Sequence, residues 1–202
     1  MANIKSIIND FKKGKFVIVI DDKHRENEAD LVLAAEKATP QKINFMIKNA
    51  RGLICVPMLG KRLDELKLPQ MTEVNTEFHK CKFTVSVDYK FETTTGISAF
   101  DRARTIKALI NKKTSPGDLL RPGHVFPLRC DSNGLGKRAG HTEASIELCR
   151  LANLYPAAVI CEIVGESGRM AKMPELKRFA KKFGLKIVRI KDLVGRMKKK
   201  LE

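Results

Sequence analysis

Apolar positions along this chain alternate between a helical period and short continuous runs. Ile4, Ile7, Ile8 and Phe11 fall at helical spacing and Gly14 follows where a helix would end, so residues 3–13 are expected to form a helix. KFVIVID and LVLAAE, each bounded by polar stretches, predict two strands. Thr39 before Pro40 reads as an N-cap followed by proline at the first helical position, opening a helix to about Ala50. LICVPM predicts a strand, residues 60–66 a short helix, and KFTVSVDY a further strand. Ser98 with Asp101 has the form of a capping box before a helix to about Asn111. SPGD is a turn, and HVFPLR a short strand whose Pro127 implies an edge or a bulge. HTEASIELCRLAN predicts an amphipathic helix, AAVICEIV a buried strand with one carboxylate, and PELKRFAKKFG a helix closed by Gly184. LKIVRI is a last strand, and Asp192 is expected to cap a final basic helix.

Strands and helices intermix throughout, which implies a layered α/β or α+β fold. No composition shift splits the chain, so one domain over residues 1–202 is expected. With 43% hydrophobic residues the chain can bury a substantial core, and its recurring apolar runs exclude wholesale disorder. The longest strongly apolar run, residues 16–20, is far short of the roughly 20 residues that cross a bilayer. The first ten residues lack the apolar segment of a secretory signal. A cytoplasmic chain that binds no membrane is expected. The five cysteines include no CxxC pair, which argues for buried free thiols in a reducing compartment.

A formal charge of +16 points to an anionic partner, but Lys outnumbers Arg 26 to 13 and aromatics are only 6%. Much of the excess lies after residue 171. A solvated basic face explains it, and no nucleic-acid partner is expected.

Several segments carry candidate chemistry. DDKHRENEAD, residues 21–30, gathers five carboxylates around His24 and Arg25; if extended, it projects Glu26, Glu28 and Asp30 to one side. Such a cluster needs a compensating cation, from Arg25, a neighbouring base or a hard metal ion. Read alone, it also fits a polar surface loop. RAGHTEA, residues 138–144, runs through glycine into a helix whose open N–H groups attract an anion, with Arg138 and Thr142 as added donors and His141 beside them. TTTGIS, residues 93–98, suits sugar or phosphate binding but equally a simple capped loop. RPGHVFPL places His124 at the start of a strand. Glu162, inside AAVICEIV, is expected to pay for burial with a raised pKa, which suits a general base.

Taken in order, DDKHRENEAD, RGLICVPM, FTVSVD, TTTGISAFDRARTI, PGDLLRPGHVFPLR, RAGHTEASIELCRLANL and AAVICEIV resemble 3,4-dihydroxy-2-butanone 4-phosphate synthases of riboflavin biosynthesis. The resemblance covers most of residues 15–172. It implies a three-layer α+β fold, a mixed sheet with helices. It also implies conversion of D-ribulose 5-phosphate to L-3,4-dihydroxy-2-butanone 4-phosphate and formate with Mg²⁺, Mn²⁺ being a second candidate because one ligand is an imidazole. The family's metal ligands match Glu26 and His141. Its substrate-contacting positions match Arg25, Glu26, Asp30, Arg138, Ala139, Gly140, His141, Thr142 and Glu162. Its essential histidine matches His124, so His124 and Glu162 are the expected catalytic pair. A homodimer whose active site draws on both chains is implied as well. Ala29 stands where the family commonly has Gly, which would strain the chain if that position needed positive φ. The chain lacks the cysteine zinc signature of the GTP cyclohydrolase II domain to which many relatives are fused, so a monofunctional enzyme is expected. Cys55, following RGLI, is a further residue that would line the site.

Overall fold

The computed structural model describes residues 3–198. The basic run over residues 199–202, to which part of the charge excess belongs, lies outside the described residues. Asn3 accepts from the Lys5 N–H and caps α1 (Ile4–Lys12), which leads into β1 (Val17–Ile20). After β2 (Ala29–Ala34), Thr39 accepts from the Lys42 N–H and opens α2 (Pro40–Phe45), which continues as a π-helix over Met46–Ala50. Then come β3 (Cys55–Met58), α3 (Gly60–Glu65), β4 (Val87–Tyr89), α4 (Ala99–Ile110) and β5 (Leu119–Arg129). The chain closes with α5 (His141–Leu151), β6 (Ala158–Glu162), α6 (Met173–Phe183), β7 (Lys186–Arg189) and α7 (Ile190–Lys198). No described helix is long and apolar enough to cross a membrane.

The strands form one mixed sheet in the order β4-β5-β3-β6-β2-β1-β7. β1–β2 and β2–β6 are antiparallel, while β3–β5 and β1–β7 are parallel. Alternation along each strand feeds two separate cores. Ile18, Ile20, Leu31, Leu33, Val159 and Cys161 face a core shared with α2, α4 and α6. Val17, Val19, Val32, Ala34, Ala158 and Ile160 face a second core shared with α1, α5 and α7. The central strands are therefore buried on both faces, as their unbroken apolar runs require, and the architecture has the expected three layers.

Four local expectations need correction. The strand expected over residues 82–89 keeps regular pairing only over Val87–Tyr89. Upstream, the Thr84 N–H bonds to the Pro127 carbonyl and the Val85 N–H to the Pro69 carbonyl, and neither proline can return a donor. The strand bearing Pro127 is not at an edge, since β5 lies between β4 and β3. Its missing N–H falls on the side where β4 has already given way to isolated bridges. The capping box at Ser98 is half made: Ser98 accepts from the Asp101 N–H, but the Asp101 carboxylate accepts instead from Thr94 and Gly96. Asp192 sits within the first turn of α7 rather than capping it, because the helix starts directly after β7.

Arg62 is a buried cation that sequence patterning does not reveal. It donates to the Leu109, Asn111 and Thr114 carbonyls at 3.0, 2.6 and 3.1 Å, closing the C-terminal end of α4 and the turn after it. Arg62→Met is expected to leave these carbonyls without their cationic donor and to destabilise the fold by about 3 kcal/mol, read as a lower urea midpoint. Arg62→Lys, which keeps charge but not the fork, is expected to lose less.

Candidate active site

The sheet's alternation places its chemistry on one face. In the antiparallel β2–β6 ladder Asp30 pairs with Glu162, and Cys55 of β3 pairs with Ile160. Asp30 and Glu162 continue the rows of Val32 and Ile160, so they stand on the α5 face at the sheet's end. There they meet the start of α5 across a cavity of about 410 Å³. Arg25, Glu26, Glu28, Asp30, Arg138, His141, Thr142 and Glu162 all line it. The acidic and glycine-led segments, more than a hundred residues apart in sequence, thus share one site.

Asp21, at the end of β1, shapes the acidic loop. Its carboxylate accepts from the Glu26 and Glu28 N–H groups at 3.0 and 2.9 Å and pairs with Arg25 at 3.1 Å. Arg25 also pairs with Glu26 at 2.9 Å. The loop is not a continuous extended run, because Asn27 adopts φ 54°. Ala29 is different: it is buried in β2 opposite Ile20 and is not among the positive-φ residues, so alanine fits there without strain.

His141 begins α5 and is 6% exposed. Its Nδ1 lies 3.3 Å from Glu26 Oε2, while Nε2 is buried with no hydrogen-bond partner. Ligand atoms from Asp21, Glu26 and His141 all lie within 4.8 Å of one another. Two carboxylates and a buried, unpartnered imidazole nitrogen suit a divalent ion. Burial pulls the His141 pKa down, but Asp30, the hydrogen bond to Glu26 and the charges of Asp21 and Glu26 outweigh it and raise it to about 9. Burial pushes Asp30 up to about 7, helped by Glu162, Glu26 and Glu28 and opposed by His141. Glu26 moves the other way, to about 2: burial resists ionisation, but the His141 hydrogen bond and the Arg25 charge prevail.

At the anion end, Gly140 is the N-cap of α5 and offers no side-chain cap, which leaves the first N–H groups of the helix open. Arg138 and Thr142 line the same cavity and Ala139 lies between Arg138 and the cap.

Two expectations change. Glu162 is half-buried at the end of its strand and its carboxylate accepts the Leu53 N–H at 2.8 Å. Its ladder partner Asp30 is the more deeply buried of the two, and burial pushes that carboxyl up to about 7. His124 does not line the cavity of its own chain. It sits on β5, its side chain 42% exposed, with Nδ1 2.7 Å from Asp88. Gly96 of TTTGIS packs against this pair. Gly96, at φ 91°, lies so close that a Cβ there would come within 2.7 Å of His124 Nδ1.

The cavity also contains residues not foreseen. Glu77, His79 and Cys81 enter it from the loop before β4, and no spacing in that loop signals the approach. Cys55 forms part of its lining, 1% exposed, with its pKa raised by burial and by Glu162 and Asp30.

The family model for 3,4-dihydroxy-2-butanone 4-phosphate synthase matches residues 5–196. This chain belongs to that synthase family. It is 51% identical over 198 residues to the 3,4-dihydroxy-2-butanone 4-phosphate synthase of Agrobacterium fabrum, covering 98% of this chain and 93% of that one. It is 56% identical over 194 residues to the riboflavin biosynthesis protein RibBA of Endomicrobium trichonymphae, covering 96% of this chain and 48% of that protein. The chain thus spans about half the length of most of the RibBA relatives it matches, and 35% of the RibBA of Synechocystis. A synthase crystal structure in complex with two magnesium ions superposes with a TM-score of 0.93 at 44% identity, covering 98% of both chains.

Divalent-ion binding at Glu26 and His141 must displace the His141 proton, so affinity is expected to rise as pH climbs toward 9. Calorimetric titrations at about pH 6.5 and 8.5 should show tighter binding and less proton release at the higher value. Equal affinity at both would remove His141 from the ligand set.

Proposed function

We propose that the chain folds as a single domain and converts D-ribulose 5-phosphate to L-3,4-dihydroxy-2-butanone 4-phosphate and formate in the cytoplasm. The observation that carries this reading is the meeting of the Glu26–His141 pair, the Asp30–Glu162 pair and the open N-terminus of α5 around one cavity. Glu26 and His141, with Asp21 behind them, would hold Mg²⁺, or Mn²⁺ given the imidazole ligand. When bound, the ion supplies a Lewis acid for the oxyanion that develops when a ketone loses its neighbouring proton.

The chain's own residues account for the rest. Arg138, Thr142 and the backbone of Ala139, Gly140 and His141 bind the phosphate, and Arg25 adds a second cation to that end. Binding energy there orients the distant carbons that react. Glu162 and Asp30 exchange protons with those carbons, and a group poised near pH 7, as Asp30 is, can take a proton and return it. His124 acts on later protons. Because it lies outside its own chain's cavity, we assign that role to the partner subunit's His124 in a homodimer. Exposed Phe91, Ile97, Phe100 and Leu120 supply an apolar surface suited to such an interface.

Incubation with ribulose 5-phosphate and Mg²⁺ is expected to release formate, followed by NMR, and a chelator should stop it. Glu26→Ala and His141→Ala should abolish turnover. Arg138→Ala should lose roughly 1.5–3 kcal/mol, about ten- to a hundredfold in KM. Absence of formate from the wild-type chain would sink the assignment.

Sharing of the site has its own test. Inactive His124→Ala and Glu26→Ala homodimers, mixed and allowed to exchange subunits, should regain about a quarter of wild-type turnover, since half the dimers would carry one intact site. No recovery after proven exchange would place the whole site within one chain.

A further inference from the structure

Glu143 does not line the cavity, and the chemistry above gives it no task. Yet its side chain, 1% exposed, is a buried carboxylate in the first turn of α5. Such a group is retained at a cost unless both oxygens are satisfied. Here Oε2 accepts from Arg138 Nη1 at 2.7 Å and Oε1 from the Asp131 N–H at 3.1 Å. The other end of the Arg138 fork is also held: Nη2 donates to the His79 carbonyl at 3.2 Å and approaches Cys81 Sγ at 3.4 Å.

Gly140 shows how tightly this is arranged. A Cβ there would fall 2.6 Å from Arg138 Nη1, 2.9 Å from Glu143 Oε2 and 3.1 Å from Arg25 Nη2. The ion pair therefore crosses the bare Cα of Gly140, and a second guanidinium reaches the same point. Two like charges converging there repel each other unless anions separate them. Glu143 answers one from beneath, and the acidic loop answers the other through Asp21 and Glu26.

We propose that Glu143 is a positioning residue: it fixes the Arg138 fork across Gly140, beside Arg25 and the open start of α5, so that a phosphate monoester meets a preformed pair of guanidinium groups. The inference rests on the reading that Arg138 binds the substrate's phosphate. A Glu143 that only tied residue 131 to α5 would have no bearing on phosphate affinity.

The full-length chain is titrated with inorganic phosphate, followed by ³¹P NMR, and its kinetics are measured with ribulose 5-phosphate. Glu143→Gln keeps an acceptor for the Asp131 N–H but weakens the hold on Arg138. It is expected to weaken phosphate binding and raise KM about tenfold or more, with kcat changed less than about threefold. Gly140→Ala leaves every charge in place and displaces the fork, so it should reproduce the loss and serves if Glu143→Gln does not fold. Phosphate binding and KM within about twofold of wild type in either folded variant would overturn the proposal. So would a loss confined to kcat and melting temperature, or a wild-type chain that does not bind phosphate. A wild-type chain whose phosphate binding depends on Glu143 but that releases no formate would sink only the functional reading.

Discussion

Like charge crowded at the end of a sheet is the constraint around which this molecule is arranged. Asp21, Glu26, Glu28, Asp30 and Glu162 gather around the buried imidazole of His141, and each needs a partner. Arg25 answers Asp21 and Glu26, and backbone N–H groups answer Asp21 and Glu162. Glu28 is pushed up by burial and by Glu26 and Glu162, and the largest upward shifts among these groups fall on His141 and Asp30. One holds its proton up to about pH 9, and the other keeps its own until about pH 7. A cluster in this state can trade a proton for a divalent ion and hold a second proton ready near neutrality, which is what the proposed enolisation of a ketose phosphate would call for.

The same period-two alternation that builds the hydrophobic layers also builds the site. Val32, Ala34, Ala158 and Ile160 pack under α5, and Asp30 and Glu162 are the next positions outward in those rows. The polar cluster thus sits at the margin of a packed core. Glycine makes the close approaches there. A Cβ on Gly52 would lie 2.4 Å from Glu162 Oε2, and one on Gly140 would strike the Arg138–Glu143 pair. The backbone is used as a surface against which charged groups are pressed.

Much of the fold was legible because local signals are self-contained. Thr39–Pro40 and Gly184 mark helix ends by chemistry acting within a few residues, and both hold in the structure: Thr39 caps α2, and Gly184 adopts φ 63° after α6. The short apolar runs became strands buried on both faces. Local reading failed where a distant partner intervened. Two prolines, one of them forty-odd residues away, broke up the strand before Val87, and Asp101 turned toward Thr94 and Gly96 rather than completing its box.

The candidate site divides in the same way. The segments DDKHRENEAD, RAGHTEASIELCRLANL and AAVICEIV, three of the seven that carried the family resemblance, pointed to Arg25, Glu26, Asp30, Arg138, His141, Thr142 and Glu162, which share one cavity, because residue types and order along the chain are properties of sequence. The raised pKa of Asp30, the way Asp21 organises the loop, the entry of Glu77, His79 and Cys81 into the cavity, and the place of His124 outside its lining were decided only by the tertiary structure. A pKa or a pairing depends on desolvation and on distances of a few ångströms between segments that meet through the sheet, and an alternating pattern specifies which face a residue occupies but not which strand lies beside it.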